Sequence, residues 1–397
     1  MLKKIISITK SAKEWKKPSQ AKCLIFDART GKPLHCFIKP NKIAELFLPA
    51  EKLNMVVVFQ CFLKQSVSLL SYYANYVRAV NPQVVITMSD NNEDFYRLKK
   101  LLPKVTFIAI QSSWRGKGGD LFGKKIPKGL SCDYYFAFNR AIGSLIKKNV
   151  TCRVIAAGSL LNNALINREH SQNLKQKLVF ISEFRKKRKK LSFPCKKYNG
   201  VAANWEELYS LEKKLLPILH RFCQKNGIEF IILGAKPAVH SEEHDFFKKY
   251  LPKCGWRFNP RKRWFSSYEV INSSDFVVYI NSTLGYEAFG AGKPVACISA
   301  RGHWFADFDD RNFGWPNIFP NKGLCWTNDF NKKGVEKVLK NLISKPNSYQ
   351  RKYLQAVRIK VMQYDRGNSK LSAILNQKGI STESVLSRMV PYQASVN

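Results

Sequence analysis

The residues best suited to chemistry lie in the segment DFVVYINSTLGYEAFGAGKPVACIS, residues 275–299. Its pattern predicts a buried strand, a tight turn, a helix and a second strand. The turn carries Asn281, Ser282 and Thr283, and a helix that starts there directs its first N–H groups and the positive end of its dipole at a ligand in the turn. The two hydroxyls can add hydrogen bonds to a phosphate. The segment predicts an anion site, with a structural capping box formed by Ser/Thr and Glu287 as the open alternative.

Three further residues of the same predicted helix belong to the predicted donor site. Gly285 would let a ligand approach the backbone, and Tyr286 lies next to it. Glu287 lies one turn into the helix and could accept hydrogen bonds from a ribose. In open parallel sheets, ligands bind outside the carboxyl ends of the strands, which is where this turn falls.

Two other segments of the second half are predicted to contribute to the donor site. FIILGAK reads as a buried strand that ends at Gly234 and the basic Lys236, in a loop that could hold a nucleobase or a phosphate. In WRFNPRKRWFSSY, Arg261 could form a bidentate pair with a phosphate or a sugar carboxylate. Ser266 and Ser267 follow it, and Ser267 is expected to cap a short helix. An ordinary strand-end glycine and plain surface charge remain open alternatives for these two segments.

The first half offers one flexible loop, QSSWRGKGGD, residues 111–120, directly after a predicted strand. Trp114 could stack on a sugar ring, and Arg115 could meet a carboxylate or phosphate. Asp120 is the predicted acceptor-side carboxylate, acting as base or nucleophile at the anomeric centre. A mobile loop in which Asp120 caps a helix is the open alternative.

The sequence lacks the short motifs of several enzyme classes. It contains no P-loop, GxGxxG, GxSxG, HExxH or CxxC pattern, so kinase, hydrolase, zinc-protease and dinucleotide functions have no motif support. His303 precedes the carboxylates Asp307, Asp309 and Asp310, but their spacing matches no metal-binding loop. We therefore expect no metal and no cofactor other than the donor itself.

The chain is strongly basic, with 67 Lys+Arg against 28 Asp+Glu and a formal net charge of +39. Such a charge favours polyanions, namely nucleic acid, anionic lipid headgroups or acidic glycans. A compositional bias toward lysine explains the charge equally well. The basic run at residues 185–190 is either a patch for such anions or a solvated loop. No run reaches the ~20 apolar residues of a membrane span, which predicts a cytoplasmic protein that at most contacts an anionic membrane peripherally.

The remaining elements predict the fold. Short, continuously apolar runs alternate with helical patterns, which is typical of doubly wound parallel sheets in an α/β protein. Met55–Cys61 is interpreted as one of the buried strands. Two Rossmann-like domains are predicted at residues 1–165 and 166–330, followed by C-terminal helices and a tail at 331–397.

Three segments together resemble a known family. VVYINSTLGYEAFGAGKPVA, IAIQSSWRGKGGDLFGKKIPKGLSCDYYFAFNRAIG and RNFGWPNIFPNKGLCWTN are similar to segments of bacterial surface carbohydrate biosynthesis proteins, in the same order over residues 80–330. Those proteins are similar to glycosyltransferases of the GT-B architecture. The Ser-Thr-x-Gly-Tyr-Glu turn resembles that of Kdo and sialic-acid transferases, which use CMP-activated donors.

The resemblance implies a metal-independent glycosyltransferase with its two domains facing across a cleft. Its donor would be a nucleotide sugar, most simply a CMP-linked ulosonic acid, and its acceptor a glycan or glycolipid of a surface polysaccharide. Ser282 and Thr283 would hold the donor phosphate, and Glu287 would order the ribose. A polyol-phosphate transferase like the teichoic-acid polymerases is the first alternative. A basic nucleic-acid- or membrane-binding protein without catalysis is the second, although no nucleic-acid-binding motif appears and no specific nucleic-acid partner is expected.

Overall fold

The chain divides into two compact units. One comprises Met1–Ala164 and Asp365–Asn397, and the other comprises Leu165–Tyr364. A computed structural model describes the chain over residues 11–116, 126–165, 175–187, 200–237, 241–262, 265–303 and 312–383. The first boundary falls one residue from the predicted position. The predicted third segment, 331–397, is instead divided between the two units.

The first unit is built on a six-stranded parallel sheet in the order β3-β2-β5-β6-β7-β8, beside a two-stranded parallel sheet of β1 and β4. Its strands are β1 (Ala12–Glu14), β2 (Cys23–Phe26), β3 (Ile43–Leu46), β4 (Lys52–Asn54), β5 (Val84–Thr87), β6 (Thr106–Ile110), β7 (Leu130–Ala137) and β8 (Val150–Ala156). Its helices in chain order are α1 (Ala28–Gly31), α2 (Met55–Leu63), α3 (Leu69–Val80), α4 (Glu93–Leu101), α5 (Arg140–Ile146) and α6 (Asn162–Leu165).

The second unit has its own six-stranded parallel sheet, in the order β11-β10-β9-β12-β13-β14. Its strands are β9 (Lys177–Ile181), β10 (Glu229–Pro237), β11 (Arg257–Arg261), β12 (Phe276–Tyr279), β13 (Val295–Ile298) and β14 (Trp326–Thr327). Its helices are α7 (Trp205–Leu208), α8 (Ser210–Lys225), α9 (Glu242–Tyr250), α10 (Ser266–Asn272), α11 (Thr283–Gly290), α12 (Lys332–Ile343) and α13 (Ser348–Val361). The last helix that the structure describes, α14 (Ser369–Gln377), belongs to the first unit.

Both sheets are doubly wound, which confirms the predicted fold class. In the first sheet the chain order reverses between β2 and β5, and in the second it reverses between β9 and β12. The central strands β2, β5 and β12 are buried along their whole length, as their continuous apolar runs predict. A ligand of such a sheet binds outside the carboxyl ends of the strands at the point of reversal. The fold therefore marks one candidate position in each unit.

The segment Met55–Cys61 corrects one prediction, because it forms most of helix α2 instead of a strand. The β-branched run Val56–Val58 favours a strand by local propensity. Asn54 overrides it at the helix start, where its Oδ1 accepts a hydrogen bond from the N–H of Val57. Val57 and Cys61, one helical turn apart, then pack into the core of the first unit.

Candidate functional site

The start of helix α11 lies at the reversal point of the second sheet, directly after β12. Ser282 occupies the N-cap position, and its side chain makes no capping hydrogen bond. Its carbonyl accepts the N–H groups of Gly285 and Tyr286 at 3.1 and 3.3 Å. Ser282 and Thr283 are both partly exposed. The capping-box alternative is therefore wrong for Ser282, and its hydroxyl remains at the carboxyl edge of the sheet.

The first turn of helix α11, which follows β12, differs in charge from the first turns of the helices that follow β9, β10 and β11. The first turns of those helices carry carboxylates: Glu206 and Glu207 in α7, Glu212 in α8, Glu242, Glu243 and Asp245 in α9, and Glu269 in α10. The first turn of α11 carries none. Because a carboxylate stabilises the positive end of a helix, α11 is the helix start of this group best suited to an external anion.

A buried charge network holds the turn before α11. Glu183, which follows β9, accepts a hydrogen bond from the N–H of Asn281. The guanidinium of Arg301 donates to Glu183 Oε2 at 2.6 Å and to Asn281 Oδ1 at 3.3 Å, and it also pairs with Glu212. Asn281 Nδ2 donates to Ser299 Oγ at 2.6 Å. The ends of β9, β12 and β13 are thus joined immediately before Ser282.

Burial dominates the electrostatics of this network. It raises the pKa of the Glu212 carboxyl above its ordinary value, while the adjacent Arg301 opposes the rise. Burial also disfavours the charged guanidinium, but Glu212 and Glu183 together raise the pKa of Arg301 above its ordinary range. The network therefore keeps Arg301 charged, and that charge is balanced by the two carboxylates of Glu183 and Glu212 that it binds.

Glu287, the predicted ribose ligand, is buried in the second unit. Its Oε2 accepts a hydrogen bond from the hydroxyl of Tyr268 at 2.8 Å, which ties α11 to α10. Burial, the charge of Glu287 and this hydrogen bond together raise the pKa of Tyr268 well above its ordinary value. In this arrangement the carboxylate positions two helix starts relative to each other, and its role toward a ribose stays a prediction.

Gly285 and Tyr286 have packing roles that sequence reasoning did not identify. A Cβ at position 285 would lie 2.1 Å from Cγ of Tyr279, so glycine is required for α11 to cross β12. Tyr286 is buried, stacks on Phe313, and accepts the N–H of Gly314 at 3.3 Å. The absent side chain of Gly285 makes room for a tyrosine ring, which is a different reason from the predicted approach of a ligand.

The predicted loop after β10 is closed by a side chain of its own unit. Glu243, fully buried, accepts the backbone N–H groups of Ala235 and Lys236 at 2.8 and 2.9 Å, and also the hydroxyl of Ser182. Burial raises the pKa of Glu243 above its ordinary value. A Cβ at Gly234 would lie 2.9 Å from the ring of Phe258 on β11. The backbone donors expected to bind a phosphate thus serve Glu243, while the Lys236 side chain is exposed.

Arg261 and the two serines lie around the start of α10. Arg261 is the last residue of the edge strand β11, and Ser266 Oγ accepts the N–H of Lys262 at 3.1 Å. Ser267 lies inside the first turn of α10, whose N-cap is Phe265, so the predicted cap at Ser267 is wrong. Arg261 contributes positive charge near the Tyr268 hydroxyl and hence near Glu287.

In the first unit, Arg115 is engaged in a buried ion pair. Its guanidinium binds both oxygens of Asp90, with Nε donating to Oδ2 at 3.0 Å. The Tyr135 hydroxyl donates to the same carboxylate at 2.7 Å. Arg115 therefore fixes the base of its loop. Asp120, the predicted acceptor-side carboxylate, lies outside the described residues.

The carboxylate of Asp27 lies at the reversal point of the first sheet, and the sequence analysis did not identify it. Asp27 follows β2 in a left-handed conformation, with φ of 63°, and its side chain accepts the N–H of Thr30 at 3.3 Å. Ser89, just after β5, donates its hydroxyl to the same carboxylate. The left-handed conformation of this buried aspartate is visible only in the folded backbone, so the sequence alone could not mark Asp27.

No group of His, Cys, Asp or Glu side chains within the described ranges is arranged to hold a metal ion. The acidic residues Asp307, Asp309 and Asp310 lie in residues 304–311, outside the described ranges. Among the helices that the structure describes, none has the length and apolarity needed to cross a bilayer.

Comparison with protein families identifies the chain at the level of its class. Residues 108–379 match a family described as "putative O-antigen biosynthesis protein", and the chain belongs to this family. This confirms the prediction of a surface-carbohydrate biosynthesis protein. A donor of the Kdo or sialic-acid type stays a prediction. None of the curated proteins compared with the chain matches it.

Solved structures of similar fold include nucleotide-sugar enzymes. A UDP-N-acetylglucosamine 2-epimerase is 12% identical with a TM-score of 0.50, over 91% of this chain and 97% of its own. The UDP-GlcNAc 2-epimerase of Neisseria meningitidis, bound to UDP-GlcNAc, is 12% identical with a TM-score of 0.49, over 90% and 98%. The wall teichoic acid polymerase TagF is 10% identical with a TM-score of 0.45, over 91% and 89%. At 12% identity, the similarity to the first of these three structures shows a shared GT-B-like fold.

Proposed function

We propose that the protein is a glycosyltransferase of surface polysaccharide biosynthesis that binds a nucleotide-activated sugar at the N-terminus of α11. The observation that carries the proposal is the helix start at Ser282 and Thr283. Two partly exposed hydroxyls meet a helix end without its own carboxylate, at the reversal point of a parallel sheet. The leaving phosphate of a donor would be stabilised there as its charge develops.

The donor in this proposal is a CMP-linked ulosonic acid. Its support is the resemblance of the Ser-Thr-x-Gly-Tyr-Glu turn to those of Kdo and sialic-acid transferases. Counter-charge for the phosphate comes from Arg261 and Lys236 in place of a metal. A glycan or glycolipid is the acceptor, and Asp120 and Asp27 are the candidates for the acceptor-side carboxylate.

The test is a thermal-shift screen of the full chain against CMP, CDP, UDP and GDP and their sugars, including CMP-Kdo, UDP-GlcNAc and CDP-glycerol. A ligand at about 100 times its dissociation constant adds roughly 2.7 kcal/mol to the stability of the folded state. Stabilisation by CMP and CMP-Kdo supports the proposal as stated.

The other outcomes separate the parts of the proposal. A response to UDP-GlcNAc alone keeps the nucleotide-sugar site and overturns the CMP-linked donor. A response to CDP-glycerol alone favours a polyol-phosphate transferase. No response to any nucleotide overturns the proposed donor site at α11.

A further inference from the structure

Helix α2 carries apolar side chains on both of its faces. Val57 and Cys61 lie on the face that packs into the core of the first unit. Phe59, Phe62 and Leu63 lie on the opposite face, where they are 62%, 59% and 69% exposed. A helix of a water-soluble domain normally places polar residues on its outer face. The outer face of α2 is therefore suited to an apolar environment.

The exposed apolar surface continues into the turn that leads to α3. Val67 in this turn is 67% exposed, and Leu69 at the start of α3 is 45% exposed. Together with the outer face of α2 they form what we call the apolar patch: Phe59, Phe62, Leu63, Val67 and Leu69. Its area is roughly several hundred Å², the size at which exposed apolar surface on a soluble protein marks an interaction site.

A basic segment is fixed beside the start of α2. Asn54, the N-cap of this helix, donates through Nδ2 to the carbonyl of Lys16 at 2.8 Å, which holds residues 15–17 next to the helix. Trp15 is 72% exposed, and Lys16 and Lys17 are exposed as well. The neighbouring carboxylate of Glu14 forms an ion pair with Lys52 at 2.9 Å. The surface at the start of α2, the helix that carries most of the apolar patch, thus combines a tryptophan with net positive charge.

We propose that the apolar patch and the segment Trp15–Lys17 dock the protein on an anionic lipid bilayer. The phenylalanine and leucine side chains would enter the boundary between headgroups and acyl chains. Trp15 suits the same boundary, since indole combines an apolar body with a polar N–H. The lysines would bind acidic headgroups, each contributing about fivefold to affinity. These residues precede the family match at residues 108–379, and the proposal does not rest on the donor site.

The experiment is co-sedimentation of the full chain with vesicles of phosphatidylcholine containing one quarter phosphatidylglycerol, beside vesicles of phosphatidylcholine alone. The wild type is expected to bind the anionic vesicles, with binding that weakens as salt rises. The variant Phe59→Ser/Phe62→Ser should bind roughly tenfold or more weakly. The variant Lys16→Gln/Lys17→Gln should bind the anionic vesicles more weakly at low salt, by about fivefold for each lysine removed.

The matched control is Ile318→Ser/Tyr349→Ser, which removes apolar side chains that are 100% and 76% exposed in the second unit. It should bind vesicles as the wild type does. The proposal is overturned if the wild type does not bind anionic vesicles, or if the Phe59→Ser/Phe62→Ser variant binds them equally well. It is also overturned if sedimentation velocity shows a dimer that the same variant abolishes, because the patch then joins two copies. Nucleotide-induced thermal shifts should be the same in all variants, so failure here is distinct from failure of the donor site.

Discussion

Replacing Arg301 by methionine should strongly destabilise the second unit. The Arg301 side chain is 6% exposed and its partner Glu212 only 3%, while Glu183 is 20% exposed. Removing the guanidinium leaves a buried carboxylate at Glu212 without its counter-charge, a change that costs about 3–5 kcal/mol in comparable buried pairs. Methionine fills much of the same volume, so the loss reports mainly on charge.

The pH dependence of this loss has a definite sign. Burial raises the pKa of Glu212 above the ordinary value of 4.5 in the folded state. Without Arg301 that pKa should rise further. A group with a raised folded-state pKa stabilises below its unfolded pKa, and this contribution is lost as pH rises through the folded value. The defect of Arg301→Met should therefore be smaller at about pH 5 than at about pH 7.

Equilibrium urea unfolding of three variants tests this reasoning. Arg301→Met should lose about 3–5 kcal/mol, and adding Glu212→Gln should recover part of it, because an amide is less costly to bury than a charge. The control is Lys322→Met, which breaks an exposed ion pair with Asp329 at 3.7 Å and should change stability by less than about 1 kcal/mol. A loss for Arg301→Met no larger than for Lys322→Met would refute the account of the network. So would the absence of any recovery in the double variant.

Gly285→Ala should lower the free energy of unfolding by about 1–3 kcal/mol or more, measured by urea unfolding, since its Cβ would overlap the ring of Tyr279; unchanged stability would show that α11 does not pack as described. Glu243→Gln should flatten the fall in thermal stability as pH rises above 4.5, because burial raises the pKa of Glu243 in the folded state; an unaltered pH profile would contradict this. Asp27→Asn should reduce transfer activity by roughly 100-fold or more with the fold retained, while full activity would leave Asp120 as the candidate carboxylate.

Much of the fold could be predicted because buried parallel strands are continuous apolar runs. The central strands β5, β6 and β12 are such runs, and every residue in them is buried. The edge strand β11, RFNPR, is polar and contains Pro260, so no apolar pattern marks it. Helix α2 has strand-like propensity and becomes helical through its Asn54 cap and through the packing of Val57 and Cys61, and this packing is not encoded in the local sequence.

The candidate site was predictable where the signal is local and missed where it is long-range. Ser282 and Thr283 stand between a strand and a helix, and this pattern locates the helix start. Arg301 and Glu183 are separated by 118 positions, and a single charged residue after a strand carries no pattern of its own. The packing role of Gly285 could not be predicted, because the Tyr279 ring is brought to it only by the folded sheet; the approach of a ligand there stays a prediction.

The central claim, that the start of α11 binds the donor phosphate, is tested most directly by calorimetric titration of the nucleotide that stabilises the wild type. Hydrogen bonds to a charged group contribute about 1.5–3 kcal/mol each, so Ser282→Ala/Thr283→Ala should bind at least tenfold more weakly. Ser241→Ala is the matched control, since Ser241 also stands at a helix start without a capping hydrogen bond, but before a turn filled with carboxylates. It should bind as the wild type does. Equal affinity of the wild type and the Ser282→Ala/Thr283→Ala variant would contradict the account and place the donor phosphate elsewhere.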